Sequence, residues 1–367
     1  CFKFAAFPEY TADFDCLTPE DIEELDAYCA ERFIELVPNQ NCFGHMAVWL
    51  SRPELAHLAV GDGVTPSATI NPLLDETLEL VDRIFGSLLP HFRSGRVNIG
   101  MDEAGGLGTY QLEAVCRERG RDGVFMDYLD RVSTLCREKY GKTVQFWGDM
   151  IRSYPESYRR VPADAEVLNW AYDPVTTAWA DRTCMELGQS GARYYVCPGT
   201  CGWSAFTGRF DTMAFNVRTM AESGRKYGAH GFLMTDWGCS EECEGHPHHP
   251  VQSLLPCALA GQYAWNTGEE QQGADRKPAF IAGAKAFVDR RFFGGKPVSE
   301  WIYRLWQYYL LEPARIHSST MCGSILMREP LSVTGEEHVF DLRELPDTFC
   351  FDNILRYVRD CIAALEA

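Results

Sequence analysis

The stretch Arg96-Val97-Asn98-Ile99-Gly100-Met101-Asp102-Glu103, followed by Ala104-Gly105-Gly106-Leu107-Gly108, decides how the rest of the chain reads. A short apolar run ends in two adjacent carboxylates and then in glycines. Neighbouring side chains on a regular strand point to opposite faces, so Asp102 and Glu103 can face one pocket only where the strand stops and the backbone turns. The glycines supply that turn. Two carboxylates at such a strand end can divide labour, one protonated as an acid and the other ionised.

Similar runs recur on both sides of this one. Strands are expected at 1–7, 34–38, 96–101, 143–147, 166–170, 194–197 and 231–235, with helices at 19–32 (capped by Thr18), 112–140 and 212–227. The alternation predicts βαβ units, and nearly all-apolar strands predict a parallel sheet covered on both faces. An open doubly wound sheet would satisfy the same pattern. Against it, no Gly-rich phosphate loop follows the first run, and polar or aromatic residues (Asn39, Asp102, Trp147, Trp170, Pro198, Asp236) recur at strand ends. The expected fold is therefore α/β, a TIM-type barrel over residues 1–268. Seven runs are found where a closed barrel needs eight, and the missing one would be the first. From about residue 270 only helices are expected, at 278–293, 297–312 and 353–367, so 269–367 reads as a helical C-terminal extension.

Composition narrows the partners. With 34 Lys and Arg against 52 Asp and Glu, the formal charge of -18 disfavours nucleic acid and anionic lipid and suits a neutral or cationic ligand. No apolar run reaches the length of a membrane helix and no signal-peptide pattern opens the chain, so an intracellular, cytoplasmic protein is expected. The 15 cysteines are spread without a disulfide framework and read as mostly reduced and buried.

Beyond the acidic pair, Trp147, Trp170 and Trp237 each follow an expected strand and each lie beside an Asp or Asn. Indole faces cover apolar faces of sugar rings while neighbouring polar groups bond hydroxyls. His45, in the turn-rich stretch after residue 38, suits a carboxylate partner or a ligand contact. Cys239, Cys243, His246, His248 and His249 have chemistry suited to zinc but the spacing of no common site, and read better as a loop over the barrel mouth. No Walker loop, Gly-x-Ser-x-Gly elbow or His-Glu-x-x-His helix is present, which removes the commonest kinase, serine-hydrolase and zinc-protease readings.

Taken in order, Glu35-Leu36-Val37-Pro38-Asn39-Gln40-Asn41 with Phe43-Gly44-His45, then Asn98 to Glu103, Gln145-Phe146-Trp147-Gly148-Asp149, Tyr195-Val196-Cys197-Pro198-Gly199-Thr200 with Trp203, and Thr235-Asp236-Trp237-Gly238 resemble the family 20 glycoside hydrolases, the β-N-acetylhexosaminidases, and especially the bacterial branch related to hexosaminidase D. The resemblance implies a (β/α)8 barrel and substrate-assisted retention, an exception to two-carboxylate schemes. It implies Glu103 as acid/base and Asp102 as the group that holds the substrate's 2-acetamido function. Trp147, Trp170 and Trp237 would line the terminal-sugar pocket with support from His45, Tyr195 would bond the acetamide, and Asp236 and Trp203 would touch sugar. The implied substrate is a glycan or glycoside with terminal N-acetylhexosamine, and no metal or cofactor is expected. The chain departs from the family pattern at Ala104-Gly105-Gly106 and at 239–249. The family's first strand, with its sugar-binding arginine, has no counterpart from Cys1 onward, so a truncated start or a removed upstream segment is expected. Two alternatives stand beside this reading. One is a sugar-binding barrel without catalysis. The other is a hydrolase of sugars lacking the acetamido group, with Asp149 or Asp236 as second carboxylate.

Overall fold

The computed structural model describes residues 2–10, 15–65, 67–173, 175–237, 249–265, 277–313, 315–327 and 351–366. They fall into two compact units, one of residues 1–169 with 185–195 and the other of 170–184 with 196–367. The chain passes from one to the other three times, within the strand Glu166–Trp170, the helix Thr177–Ser190 and the strand Arg193–Cys197. The expected boundary near residue 268 lies in 266–276, outside the described residues.

In the first unit, β1 (Arg96–Asn98) pairs in parallel with β2 (Thr143–Trp147), and β2 with β3 (Glu166–Trp170). The β1 pairing runs past its formal end, since Ile99 N–H donates to Gln145 O (2.9 Å) and Trp147 N–H to Gly100 O (2.9 Å). Four of the five residues of β2 and four of β3 are buried, as a parallel sheet covered on both faces requires. Covering one face is the helix Arg121–Tyr140, which buries Val124, Phe125, Tyr128, Leu129, Val132 and Cys136 at helical spacing. Phe125 meets Phe146 of β2 at 6.2 Å between ring centres, and the Tyr128 hydroxyl donates to Cys42 O (2.7 Å). The single helix expected at 112–140 is interrupted at Gly120, giving Glu113–Arg119 and Arg121–Tyr140. Thr18 caps Pro19–Ala30 as expected, in a reciprocal capping box with Asp21.

Two expected strands are absent as regular elements. Residues 2–7 make one bridge, Phe2 to Leu17, and instead form an aromatic group in which Phe4 and Phe7 pack edge-on against Trp49 at 5.2 and 5.1 Å. Residues 34–38 meet β1 without forming a strand: Asn98 N–H donates to Pro38 O (2.9 Å) and Arg96 Nη1 to Glu35 Oε2 (2.8 Å), the adjoining Asn39 bridges Asn98, and Phe33 and Ile34 are exposed.

The starts of the strands are tied by charge. Glu166, 1% exposed, accepts from Arg96 Nε of β1 (3.2 Å), from Gln145 Nε2 of β2 (2.9 Å) and from Arg193 Nη2 (3.1 Å), where β4 (Arg193–Cys197) begins. Burial pushes the Glu166 carboxyl up, but its bonds to Gln145, Arg96 and Arg193 outweigh that and hold it below the usual carboxylate range. Glu166→Gln is expected to lower unfolding free energy by about 1–3 kcal/mol, less than for a fully buried pair because both guanidiniums are partly solvated. A depressed folded pKa stabilises above the ordinary carboxylate range, so the deficit shrinks as pH falls through that range. Urea melts at several pH values measure both effects.

In the second unit the end of β4 lies beside β5 (Gly231–Phe232), with Leu233 N–H donating to Val196 O (2.9 Å) and Thr235 N–H to Pro198 O (2.9 Å). The helices Phe210–Lys226, Leu254–Trp265, Lys277–Phe292 and Val298–Leu305 share one core around Phe210, Met213, Leu255, Leu259, Ile302 and Trp306. The first two expected C-terminal helices thus share a core with elements that precede residue 268, and the third, Asp352–Glu366, packs Ile354 into a separate cluster with Tyr308, Tyr309 and Met321. No helix among the described residues is long and apolar enough to cross a membrane.

Candidate active site

After β1 the backbone leaves extended geometry at once. Gly100, Met101 and Glu103 take φ of +70, +79 and +46°, a left-handed path that residues bearing Cβ adopt only when their surroundings enforce it. One enforcer is Asn98, whose Oδ1 accepts Gly100 N–H (2.9 Å). Another is the segment 39–45 laid alongside. A Cβ on Gly44 would sit 1.9 Å from Asp102 O, so only glycine lets these two segments touch.

That approach delivers His45, itself at φ +53°, to both carboxylates: its Nε2 is 3.4 Å from Asp102 Oδ2 and 3.3 Å from Glu103 Oε2. The two acids differ in surroundings. The Asp102 side chain is 13% exposed, and its Oδ1 is buried without a hydrogen-bond partner among the described residues. The Glu103 side chain is 57% exposed, and the His45 bond holds its carboxyl below the usual range against an opposing push from burial. One acid is thus enclosed with a vacant acceptor and the other is wetted and ionised.

The departure at 104–106 has a packing reason. Ala104 is fully buried, and Gly106 donates its N–H to Thr69 Oγ1 (3.0 Å) with no room for a Cβ beside Thr69 and Val60. Beneath the pair, the Cys42 thiol donates to Ile99 O (3.1 Å), and burial pushes that thiol well above its ordinary range. Trp147 ends β2 and is buried, 4% exposed. Tyr195 lies on β4 in electrostatic reach of Arg96, within the strand-start charge cluster.

The second unit gathers the other expected residues into an aromatic cluster. Tyr172, which sequence reasoning did not nominate, is its hub. Tyr172 stacks on Trp170 (5.0 Å, 29°), meets Trp203 edge-on (4.7 Å, 61°), and its hydroxyl oxygen accepts from Trp237 Nε1 (2.7 Å). Gly199 is required here, since a Cβ would lie 2.8 Å from both Trp203 and Tyr172. Asn216, from the helix Phe210–Lys226, joins two strand ends by accepting from Gly199 N–H (2.9 Å) and donating to Ala171 O (2.8 Å). Arg209, 2% exposed, ion-pairs with Asp173 and lies 5.9 Å from the Trp203 ring centre. Asp236 is exposed and accepts from Thr200 Oγ1 (2.7 Å), and Trp237 is 43% exposed. Such a set offers apolar faces with a carboxylate nearby, the chemistry of a sugar surface.

Of the cysteine and histidine group, Cys239, Cys243, His246 and His248 lie outside the described residues. His249 Nδ1 accepts from Val251 N–H (3.2 Å) and caps a local turn. No group of metal-ligating side chains is found among the described residues.

The model of glycosyl hydrolase family 20, catalytic domain, matches residues 7–201, just over half of the chain. Hexosaminidase D of Bos taurus is 27% identical over 163 residues, which cover 42% of this chain and 46% of that protein. Hexosaminidase D of Homo sapiens is 28% identical over 163 residues, covering 42% of this chain and 33% of that protein. The matches therefore span less than half the length of these curated relatives. Among solved structures, a chitobiase of Flavobacterium johnsoniae superposes with a TM-score of 0.58 at 13% identity, covering 83% of this chain and 47% of that one. The N-acetyl-β-hexosaminidase of Streptomyces plicatus, solved in complex with Thio-NAglucal, superposes with a TM-score of 0.54 at 19% identity, covering 79% and 59%. At these identities the likeness shows the fold, a parallel sheet with helices of the TIM-barrel type.

Proposed function

Because this chain belongs to glycosyl hydrolase family 20, we propose that it is an exo-acting β-N-acetylhexosaminidase that releases terminal β-linked N-acetylglucosamine or N-acetylgalactosamine through an oxazolinium intermediate. The observation that carries this reading is the vacant, buried Oδ1 of Asp102 directly beside Glu103. A buried acceptor left unfilled is unfavourable, and the N–H of a 2-acetamido group is the donor that would fill it.

In the proposed reaction Glu103 gives a proton to the glycosidic oxygen as the bond to the anomeric carbon breaks. The acetamide carbonyl oxygen attacks that carbon from within the substrate. The nitrogen gains positive character, and Asp102 stabilises it through the N–H and by its charge. Water, deprotonated by Glu103, then opens the oxazolinium ring with retention. Adjacent carboxylates suffice because the nucleophile arrives with the sugar, whereas a covalent retaining pair needs carboxyls about 5 Å apart across the ring. In the free site Glu103 is ionised beside His45. A bound sugar strips water from this exposed carboxylate and pushes its pKa up toward the acid form that the first step uses.

The rest of the assignment follows the same reading. On this reading a β/α barrel of the (β/α)8 type over 1–268 carries the chemistry, and 269–367 is its helical extension. The sugar contacts are those the family resemblance implies: Trp147 in the first unit, and Trp170, Trp203, Trp237 and Asp236 in the second. A panel of aryl β-glycosides with and without the 2-acetamido group tests the proposal. Turnover confined to the acetamido sugars, blocked by a thiazoline mimic of the intermediate, is the expected outcome. Equal turnover of plain glucosides, or calorimetric binding of N-acetylhexosamine with no turnover, would sink it.

A further inference from the structure

The main chain of Glu103 is bonded by a residue from the turn that follows a different strand. Glu103 holds φ at +46°, and nothing in its own side chain favours that conformation. Its N–H donates to Asp149 Oδ2 at 3.0 Å. Asp149 opens the short turn Asp149–Ile151 directly after β2, and that turn is anchored at both ends. Gly148 N–H donates to Leu168 O of β3 (3.0 Å), and Ile151 is fully buried. The end of β2 therefore grips the catalytic segment twice. Trp147 N–H bonds Gly100 O before the acidic pair, and the Asp149 carboxylate takes the Glu103 N–H within it.

We propose that Asp149 is a positioning residue for the acid/base, acting through the Glu103 amide rather than on the sugar. A carboxylate suits this role because a charged acceptor makes a shorter and roughly twice stronger bond to N–H than a neutral one. The oxygen that holds the amide is also committed. It is a poor choice for the nucleophile of a covalent mechanism, the other use to which a carboxylate after β2 could be put. The inference rests on Glu103 being the acid/base, and it extends the site to a residue that neither the pair nor the aromatic cluster includes.

The test is a graded series on the full chain, measured with an aryl N-acetyl-β-glucosaminide. Asp149→Ala should lower kcat by about 10–100-fold, the scale for losing one charge-assisted bond, with KM within about threefold. Asp149→Asn keeps an acceptor and should recover kcat to within about tenfold of the parent. Added to Glu103→Gln, Asp149→Ala should cause almost no further loss, since the two act as one unit. Should Asp149→Ala fail to fold, the Asp149→Asn and Asp149→Ser variants carry the same comparison, with circular dichroism to confirm folding. Equal inactivity of the Asn and Ala variants, or a covalent glycosyl adduct on Asp149 by mass spectrometry, overturns the proposal, as does full additivity with Glu103→Gln. Failure of the substrate assignment is separable: the parent enzyme would then turn over sugars without the acetamido group, and the graded order at position 149 would persist on those sugars.

Discussion

Glu103→Gln is expected to lower kcat for an N-acetyl-β-hexosaminide with a poor leaving group by about 10²–10⁴-fold, the usual contribution of a positioned general acid. Gln is isosteric and preserves the left-handed turn, so the fold and KM should change little. The loss should shrink steeply for a nitrophenyl leaving group that departs without a proton, while the water-attack step stays impaired. This contrast separates an acid from a residue that merely binds. The pH profile gives a second check. Glu103 must be protonated to donate, so kcat/KM falls as pH rises through its free-enzyme pKa. His45 pulls that pKa down. Removing the pull in His45→Gln should therefore move the alkaline limb of kcat/KM to higher pH, because burial then acts unopposed. A limb that stays in place would mean that some other group titrates.

The candidate site is legible in the sequence to the extent that it is local. Asp102 and Glu103 stood out because a buried apolar run stops at them and glycines follow. β2 and β3 were found with their observed bounds, Thr143–Trp147 and Glu166–Trp170, because an apolar run of five residues between turns leaves little else to be. The same reasoning misread 1–7 and 34–38, where the apolar side chains serve aromatic packing against Trp49 or stay exposed at Phe33 and Ile34. An apolar run signals burial, and only a paired neighbour makes it a strand.

What the sequence hid is long-range or conformational. Positive φ at Met101 and Glu103 carries no signature, since neither residue favours it. Tyr172 differs from an ordinary core aromatic only through partners 31 to 65 positions away, Trp203 and Trp237. Asn216 is buried within a helix, where its bonds to Gly199 and Ala171 cannot be inferred from spacing. Asp149 is visible in the sequence as a carboxylate after a strand, where it offers a second carboxylate for a hydrolase of sugars without the acetamido group. The structure adds the bond to the Glu103 amide, which argues for the quieter role.

Asp102 separates activity from stability, and the two should move in opposite directions. Its Oδ1 is buried with no hydrogen-bond partner among the described residues, an arrangement that is unfavourable for the free fold and that a donor from a bound ligand would relieve. Asp102→Asn should cut kcat on acetamido substrates by about 10²–10³-fold, comparable to removing one preorganised electrostatic contact from a transition state. The amide lacks the charge that steadies the oxazolinium nitrogen, and its NH2 can face the substrate N–H donor to donor. Asp102→Ala should lose at least as much, because no acceptor remains. Yet either variant should melt at the parent's temperature or slightly above it, since a partly desolvated carboxylate has been removed and no strong bond is lost with it. Thermal melts and single-turnover rates on the same preparations test this pairing. A large drop in melting temperature would show that Asp102 holds the fold through partners such as His45, and activity within tenfold of the parent would show that the vacant oxygen receives no acetamide in the reaction. If stability is kept while the rate collapses, Asp102 is doing its work only when substrate is bound, as a receptor for a nucleophile that the enzyme does not itself contain.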